Sequence, residues 1–418
     1  MIYDAIIIGA GAAGLMTTIV ARRGGAKVLL LEGQNKVGAK ILMSGGTRCN
    51  VTNKEVSERD YNSQQIVRVR NCLRAFDNNE AIAFFKDLGV ELALEPTGKY
   101  FPITNSGKTV LDALLKVAGP CIKTNCKVHS VKYDDIYHVA GEGFCYQAHH
   151  VVLATGGLSY PTTGSDGVGY RLAAGFGHTL IDTTAALTPL TTEDKQLKSL
   201  AGITLPVRLT LMVDGKKAVS FEDSFLFAHF GFSGPAALDI SRHWVKAEGK
   251  KELLVSFMPA ISEADFENTL LSATNRKVKT VLTDHLPQRL ADVLLAQAGI
   301  STDLLLNQLS KPLRQKLITL CLRNPLAITG VVGYSKAEVT AGGIDWKDIN
   351  GKTLESNLQP GLFFVGEILD VDGRIGGFNF QWAWASGHAV GQEIIKRRTS
   401  HEQESHQNRK CFSSGGAV

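Results

Sequence analysis

The stretch that decides the fold is YDAIIIGAGAAGLMTTIVARRGGAKVLLLE, residues 3–32. Residues 3–8 form an apolar run typical of a buried parallel strand, and residues 12–23 continue with a helical pattern. Residues 27–31 then predict a second buried strand. Because glycines separate the first strand from the helix, the stretch predicts a βαβ unit of the Rossmann type, in which a dinucleotide binds at the strand-to-helix turn.

Three glycines and one acid in this unit have separate predicted roles. Gly9 permits the tight turn, Gly11 lets the backbone approach a pyrophosphate at the helix N-terminus, and Gly14 lets helix and strand pack closely. Glu32 follows Gly14 by 18 residues, where a carboxylate accepts a hydrogen bond from a ribose and disfavours the 2′-phosphate of NADP. The alternative is a glycine-rich turn without a ligand, and the pattern alone does not separate FAD from NAD. The predicted cofactor contacts in this unit are Gly9, Gly11, Ala12, Ala13, Gly14 and Glu32.

Composition narrows the class of protein. The chain has 418 residues, which suggests two or three domains, and 45 Lys and Arg against 40 Asp and Glu give a formal net charge of +5. Since this excess is weak for the length, we expect a small-molecule substrate and no nucleic-acid partner. The seven cysteines contain no Cys-x-x-Cys pair, which argues against a metal site and for a reducing cytosol. No apolar run reaches membrane-spanning length, so we expect a soluble, cytoplasmic protein without a membrane partner, whose oligomeric state stays open.

Four stretches together resemble one family of flavoproteins. They are DAIIIGAGAAG at 4–14, KILMSGGTRCNVTN at 40–53, VVLATGG at 151–157 with GSDGVG at 164–169, and GLFFVGEILDVDGRIGGFNFQWAWASG at 361–387. The second and fourth are specific to the BaiN/RdsA-type, or YhiN-like, NAD(P)/FAD-dependent oxidoreductases, which the chain resembles over nearly its whole length. The resemblance implies a three-domain flavoprotein with FAD as its cofactor and NAD(P)H as a transient electron donor.

The loop at 40–53 combines small residues with one fixed cation. Close backbone approach suits a flat flavin and its ribityl chain, and Arg48 either contacts the cofactor or bonds only loop carbonyls. Cys49 has no partner cysteine through Lys54, so we predict a packing residue rather than a redox thiol. The loop contains no histidine, which favours non-covalent FAD. The predicted cofactor contacts here are Lys40, Ser44, Gly45, Gly46, Arg48, Cys49 and Asn50.

A second group of small residues ends a buried strand predicted at 149–154. Ligands of doubly wound sheets bind at the carboxyl edge of such strands, and small side chains let the main chain pass over the cofactor. The family resemblance also implies that Val128 contacts the adenine through its backbone, with simple core packing as the alternative. The predicted contacts at the strand end are Ala154, Thr155, Gly156 and Gly157.

The last motif places acids and glycines before a long helix that starts near Gly377 and runs to about residue 396. The free amides and the positive dipole end of this helix would face the pyrimidine edge of the flavin, where negative charge develops on reduction. The family pattern implies that Glu367 or Asp370 holds the ribityl or phosphate region, and helix capping is the alternative. The predicted contacts are Gly366, Glu367, Asp370, Gly376, Gly377, Phe378 and Asn379.

The pattern of predicted strands and helices changes after residue 187, which predicts an inserted domain. Strands flank the hairpin signal Asp214-Gly215, and Ser262 with Asp265 marks the start of a helix-rich stretch. We predict an α/β fold: a Rossmann-like FAD-binding domain built from both chain ends, with an inserted β-rich domain and a helical subdomain. The predicted order is FAD-binding domain at 1–187, β-rich domain at 188–260, helical subdomain at 261–323, return strands at 324–341, FAD-binding domain again at 342–398, and a disordered tail at 399–418.

The leading functional hypothesis is an FAD-dependent oxidoreductase that transfers hydride between NAD(P)H and an unidentified organic acceptor. No second Gly-x-Gly-x-x-Gly follows the first, so the nicotinamide would visit the flavin only transiently. No catalytic residue is identified. We expect Trp382 and Trp384 to lie in the core, and we expect His229 to be a packing residue rather than an acid–base catalyst. The alternative is an FAD-binding redox sensor or scaffold without turnover. A flavin-dependent RNA-modifying enzyme is disfavoured by the modest charge.

Overall fold

The computed structural model describes residues 1–272 and 275–413, with side chains up to residue 399. The chain forms two compact units, each with its own apolar core. Unit 1 comprises Met1–Thr183 and Glu338–Val418, and unit 2 comprises Thr184–Ala337. The insertion predicted at 188–341 corresponds to unit 2, whose two bounds at 184 and 337 each lie four residues earlier.

The strands are short except in the centre of each unit. In chain order they are β1 (Ile2–Ile8), β2 (Val28–Leu31), β3 (Thr52–Asn53), β4 (Tyr61–Asn62), β5 (Leu92–Leu94), β6 (Lys99–Pro102), β7 (Ile122–Lys123), β8 (Val128–Asp134), β9 (Ile136–Gly141), β10 (Phe144–Leu153), β11 (Leu180–Ala186), β12 (Leu190–Thr191), β13 (Thr204–Val213), β14 (Lys216–Ala228), β15 (Gly231–Ser233), β16 (Lys251–Ser256), β17 (Asn324–Leu326), β18 (Gly330–Val331), β19 (Val339–Ile344), β20 (Leu362–Phe364) and β21 (Asp372–Gly373).

The helices form most of the remaining regular secondary structure. They are α1 (Ala12–Arg23), α2 (Ala39–Met43), α3 (Ile66–Ala75), α4 (Asn78–Asp87), α5 (Gly107–Ala118), α6 (Val168–Ala174), α7 (Lys195–Lys198), α8 (Pro235–Lys246), α9 (Glu263–Leu271), α10 (Val278–Thr283), α11 (Gln288–Ala298), α12 (Lys311–Leu322) and α13 (Phe378–Ser413). Short 3₁₀ turns lie between them.

The main sheet of unit 1 is parallel at its centre, in the order β7-β2-β1-β10, with β20 added beside β10. Strand β10 is long, and its first half pairs antiparallel with β9, which pairs with β8. The carboxyl-terminal parts of the central strands are apolar and buried, as strands covered on both faces require; they are residues 5–8 of β1, all of β2 and residues 151–153 of β10. Helix α13 packs closely against α1, because Gly387 and Gly391 lie directly on it beside Met16 and Val20. The predicted α/β class with a Rossmann-type domain is confirmed.

Several elements differ locally from the sequence expectation. The loop predicted at 33–53 contains the short helix α2 and the short strand β3, and the strand predicted at 149–154 starts earlier, at Phe144. Helix α13 continues to Ser413 and takes in most of the predicted tail. Its last turns are rich in Glu, Gln, Lys and Arg, which are polar but good helix formers. Residues 414–418 lie outside the described residues.

Unit 2 is built on an antiparallel sheet in the order β17-β16-β13-β14-β15-β12-β18. The hairpin predicted at Asp214-Gly215 joins β13 to β14, with Val213 paired to Lys216. Helix α9 begins at the predicted cap, where the Ser262 hydroxyl accepts a hydrogen bond from the Asp265 amide. Helices α9 to α12 supply more than a third of the buried residues of the second apolar core.

A half-buried histidine of unit 2 is expected to make stability depend on pH. The His243 ring lies 5.5 Å from the Phe221 ring, and burial together with nearby Arg242 lowers the pKa of His243 to about 4. An unfolded histidine titrates near 6.5. The contribution of the neutral His243 ring to the unfolding free energy is therefore fully present above that pH and declines as the pH falls from about 6.5 to about 4. We expect ~2 kcal/mol of unfolding free energy to be lost between about pH 7.5 and about pH 4.5 through this group.

Urea unfolding at both pH values measures this effect. A His243→Gln variant should lose less stability than the wild type on acidification, since its side chain takes up no proton. Equal losses in the two proteins would show that the ring is accessible to protons in the folded state.

Candidate cofactor-binding site

The central parallel strands of unit 1 all end at the same edge of the sheet. Ile8 is paired with both Leu31 and Leu153, and Leu153 is paired with Phe364. Because the carboxyl ends of parallel strands meet at one edge of the sheet, the loops that follow them converge there. The first residues beyond this edge are Gly9, Glu32, Ala154 and Val365.

The three glycines of the first loop have different surroundings. Gly9 has a φ of +105°, and a Cβ there would lie 2.5 Å from the Ala154 carbonyl oxygen. A Cβ on Gly14 would meet the Gly9 carbonyl. Gly11 has an ordinary φ of −80°, and a Cβ there would have no heavy atom within 4 Å. Gly9 and Gly14 are therefore required by packing, whereas the space beside Gly11 is open.

The start of α1 carries free hydrogen-bond donors. Gly11, the N-cap residue, provides no side-chain cap, and the first turn contains no acidic residue. The first intrahelical bond runs from the Leu15 amide to the Gly11 carbonyl, so the amides of Ala12, Ala13 and Gly14 have no helical acceptor. Free amides and the positive end of the helix dipole favour an anion such as a phosphate.

Glu32 stands directly beside this helix start. One carboxylate oxygen accepts a hydrogen bond from the Ala10 amide at 2.9 Å, and the other accepts one from the Gln34 amide at 2.9 Å. Burial raises the pKa of Glu32, and the hydrogen bonds from these two amides oppose the rise. A carboxylate oxygen has more than one lone pair, so this fixed group retains capacity to accept from a ribose hydroxyl.

A partly buried ion pair connects the second and fourth motifs. The Lys40 ammonium lies 2.8 Å from Glu367 Oε2 and donates to the Ser159 hydroxyl at 2.7 Å. The Ser159 hydroxyl donates to Glu367 Oε1 at 2.6 Å, and the Thr340 amide donates to the same oxygen at 2.8 Å. Burial alone would raise the pKa of Glu367, but Lys40 and these hydrogen bonds bring it below the ordinary value. The group is therefore a fixed carboxylate at neutral pH.

Thr340 organises the backbone of this network. Its hydroxyl oxygen accepts from the amides of Leu158 at 2.8 Å and Ser159 at 3.1 Å, and the residue is fully buried. We expect Thr340→Val to lower the unfolding free energy by about 2 kcal/mol, because both amides would be left unpaired inside the protein. Chemical denaturation measures the loss.

Thr340→Ser is the matched control, since it keeps the hydroxyl. If the serine variant loses as much stability as the valine variant, the methyl group and not the hydrogen bonds holds this turn.

The loop after α2 is held in an unusual backbone conformation. Gly45, Gly46 and Thr47 have φ values of 56°, 66° and 70°, and Cys49 has 61°. A Cβ on Gly46 would have nothing within 4 Å. Left-handed conformations cost energy in a threonine or a cysteine, so the surrounding fold must hold this loop in place. The loop thus leaves open space beside Gly46, whereas Gly45 packs against Phe101 and Asn50.

Two residues of this loop interact mainly with the protein. Arg48 lies 2.6 Å from Glu95, has its guanidinium carbon 3.9 Å from the centre of the Phe101 ring, and donates to the Gly45 carbonyl at 3.4 Å. Cys49 is completely buried, and burial raises the pKa of its thiol to about 12. Such a thiol is neutral and inert at neutral pH, as the packing interpretation of Cys49 requires. Contact of either residue with a cofactor stays a prediction.

Helix α13 begins in a glycine turn braced by amide side chains. Gly376 and Gly377 have φ values of 133° and 93°, and the Asn53 amide donates to the Gly376 carbonyl at 2.9 Å. The Asn50 side-chain oxygen accepts from the Gly377 amide at 3.0 Å. Asn379 accepts from and donates to the backbone of Gly373, at 2.8 Å in each direction. The first turn of α13 contains no acidic residue.

Other predicted residues lie outside this arrangement or have structural roles. Asp370 is buried, and its carboxylate accepts a hydrogen bond from the Gln64 amide at 3.5 Å. Val128 is buried at the start of β8. Trp382 and Trp384 are core residues, as predicted. His229 is exposed in the turn between β14 and β15, so its predicted packing role is wrong.

Ser159 and Thr340 were missed by sequence reasoning. Ser159 follows Gly157 by two residues, and this closeness to a predicted cofactor contact was a weak indication of its role. Thr340 lies 181 residues further along the chain from Ser159, at a position without any motif. Among the described residues, no group of three or more His, Cys, Asp and Glu side chains is placed to hold a metal ion. A search of the same part of the chain finds no helix that is both long and apolar enough to span a membrane.

Comparison with known proteins identifies relatives along the whole chain. Residues 3–393 match the family described as HI0933-like protein Rossmann domain. The chain is 35% identical over 406 residues to the ribosomal RNA dihydrouridine synthase of Escherichia coli, covering 95% of this chain and 99% of that protein. It is 36% identical over 406 residues to the enzyme of the same name from Haemophilus influenzae, covering 94% and 98%. It is 32% identical over 405 residues to the 3-dehydro-bile acid delta(4,6)-reductase of Clostridium scindens, covering 94% and 98%.

Proposed function

The chain belongs to the HI0933-like Rossmann family, and from this membership and the site geometry we propose that it is an FAD-dependent oxidoreductase. The family assignment confirms the resemblance seen in the four motifs. The observation that carries the proposal is the open space beside Gly11 at the uncapped start of α1, with the fixed carboxylate of Glu32 next to it. This combination suits a dinucleotide in which a pyrophosphate is followed by a ribose.

The residues of unit 1 fit FAD in the following way. The amides at the start of α1 would bind the pyrophosphate, Glu32 would accept a hydrogen bond from the adenosine ribose, and the Lys40–Glu367 pair would hold the region between pyrophosphate and ring. The small residues at 44–46 and 154–157 allow the main chain to lie against the cofactor. When bound, FAD supplies reversible storage of a hydride.

The charges of the site favour a reduced cofactor. The first turn of α13 contains no acidic side chain, and Asn50 and Asn53 hydrogen-bond to the glycine turn that precedes it. A fixed helix dipole stabilises negative charge without reorganising during the reaction. Lys40 adds a cation that Glu367 keeps in one position.

We propose that the acceptor contains a carbon–carbon double bond and that NAD(P)H is the donor. The names of the relatives support the acceptor part of this proposal, because a dihydrouridine synthase and a delta(4,6)-reductase both add hydrogen across such a bond. The overall reaction adds one hydride and one proton to the acceptor and oxidises NAD(P)H to NAD(P)⁺. The first acceptor to test is uridine in ribosomal RNA, which two relatives of the same name suggest, although the weak net charge led us to expect no nucleic-acid partner.

The visible spectrum of the purified protein, recorded anaerobically before and after addition of NADPH or NADH, tests this proposal. A flavin spectrum that bleaches supports an FAD enzyme with a nicotinamide donor. A flavin spectrum that stays unchanged favours the redox sensor. A colourless protein that cannot be reconstituted with FAD would overturn the proposal.

Acceptor identity needs a second measurement. The reduced protein is incubated with ribosomal RNA from cells lacking the enzyme, and nucleosides are analysed by mass spectrometry. Formation of dihydrouridine supports the RNA acceptor, and reduction of an unsaturated steroid ketone but not of RNA would favour the bile acid reductase relative.

A further inference from the structure

One end of the sheet in unit 2 concentrates lysines from two distant segments. Lys216 and Lys217 start β14 after the hairpin turn, and Lys246 and Lys250 flank the turn between α8 and β16. Val213, the last residue of β13, is paired with Lys216 on one side and Lys251 on the other. Since neighbouring strands lie about 4.8 Å apart, the pairing brings both segments to one edge. We call Lys216, Lys217, Lys246 and Lys250 the lysine cluster.

The two turns of this edge are bonded to each other. The Asp214 amide donates to the Lys250 carbonyl at 2.9 Å, and the Lys250 amide donates to Asp214 Oδ1 at 2.9 Å. Asp214 also lies against Gly249, whose φ is +95°. The hairpin turn and the α8–β16 turn therefore form one platform, which keeps the backbones of the two lysine-bearing segments together.

The lysine cluster is exposed and has no ion pair within the described part of the chain. Lys251 is not counted, because its ammonium donates to the Trp244 carbonyl and lies 5.1 Å from the centre of that ring. Three acids share this end of the sheet: Asp214, whose carboxylate accepts from the Lys250 backbone, and the exposed Glu248 and Glu252. Elsewhere in unit 2, the exposed Lys277 pairs directly with the Asp303 carboxylate.

From this arrangement we propose that the lysine cluster binds the phosphate backbone of the RNA that carries the acceptor uridine. The inference rests on the proposed function and adds the surface that holds the macromolecular part of the substrate. Exposed lysines without ion pairs, held together on one platform, suit a chain of regularly spaced anions, and phosphate contacts of this kind position RNA without reading its sequence. The weak net charge is compatible with this role, because the charge is local and assembled from two segments.

The test compares RNA binding by two variants with equal changes in charge. In the first, Lys216, Lys217, Lys246 and Lys250 are all replaced by Gln. In the control, the exposed lysines Lys86, Lys116, Lys132 and Lys352 of unit 1 are replaced by Gln. Fluorescence anisotropy of a labelled hairpin from ribosomal RNA is measured over a series of salt concentrations. FAD content and bleaching by NADPH are measured for each protein in parallel.

We expect the first variant to lose affinity at least about tenfold at low salt and the slope of log affinity against log salt to fall by about 3, since each single-strand phosphate contact contributes about 0.7. The control should keep the wild-type slope, and all three proteins should keep their FAD. Equal slopes in the two variants would overturn the lysine cluster as the binding surface. Wild-type protein that bleaches with NADPH but does not bind the hairpin would also overturn it, while leaving the oxidoreductase proposal standing.

Discussion

Gly11→Ala is expected to reduce the affinity for FAD by about tenfold to a hundredfold while leaving the folded protein without cofactor unchanged, because about 1.5–3 kcal/mol of charge-assisted hydrogen bonding would be weakened. Gly11 has an extended backbone that any residue adopts, and an alanine Cβ there would meet no protein atom within 4 Å. The methyl group would occupy only the space through which a pyrophosphate reaches the amides of α1.

Fluorescence titration of the apoprotein with FAD measures the affinity, and thermal unfolding with and without FAD separates binding from stability. Gly14→Ala is the contrasting variant, because its Cβ would meet the Gly9 carbonyl and overpacking of this kind costs about 1–3 kcal/mol even without a ligand. Normal FAD binding by Gly11→Ala would mean that the cofactor does not approach the helix at this point.

Lys40→Met is expected to lower the unfolding free energy at neutral pH by about 3 kcal/mol, since it leaves the Glu367 carboxylate buried without its cation. The side chains of Lys40 and Glu367 are only 26% and 16% exposed, so water replaces the lost partner poorly. The variant should also purify with less FAD than the wild type.

The pH dependence gives this prediction a characteristic sign. In the wild type, the pKa of Glu367 is lowered, so its contribution is present above the unfolded pKa and is lost as the pH falls. Without Lys40, burial raises the pKa of Glu367, and the penalty is relieved as the pH falls because the group takes up a proton. The difference in stability between wild type and Lys40→Met should therefore shrink on acidification.

Urea unfolding of both proteins, from neutral pH down to a pH below the ordinary pKa of glutamate, measures the difference. The double variant Lys40→Met/Glu367→Gln is the control and should recover most of the lost stability, because no charge remains buried. A double variant as unstable as Lys40→Met would assign the loss to packing of the lysine stem.

The proposed reaction and the proposed RNA surface lie in different units, which makes them separable by experiment. The predicted cofactor contacts belong to unit 1, and the lysine cluster belongs to unit 2. Variants of Gly11 or Lys40 should change FAD binding and the spectrum, whereas variants of the lysine cluster should change RNA affinity alone.

Local patterns in the sequence were sufficient for the nucleotide-binding unit. The run at 3–8, the glycines at 9, 11 and 14, and Glu32 lie close together along the chain, and strand, turn and helix signals there agree with one another. The helix predicted at 12–23 has those bounds in the structure. The hairpin at Asp214-Gly215 and the cap at Ser262 were predicted for the same reason, because a turn or a cap is decided by a few neighbouring residues.

Contacts between distant segments were decided only by the tertiary structure. Lys40 and Glu367 are separated by 327 residues, and Thr340 reaches Ser159 across 181, so no local pattern indicates that they meet. The same applies to the lysine cluster, whose two segments become one platform only when β13 pairs with β14 and β16. The sequence by itself determined the Rossmann unit and its family, since these depend on short-range periodicity and glycine geometry. The charge environment of the site was decided by long-range packing, because burial and opposite charge act through space and not along the chain.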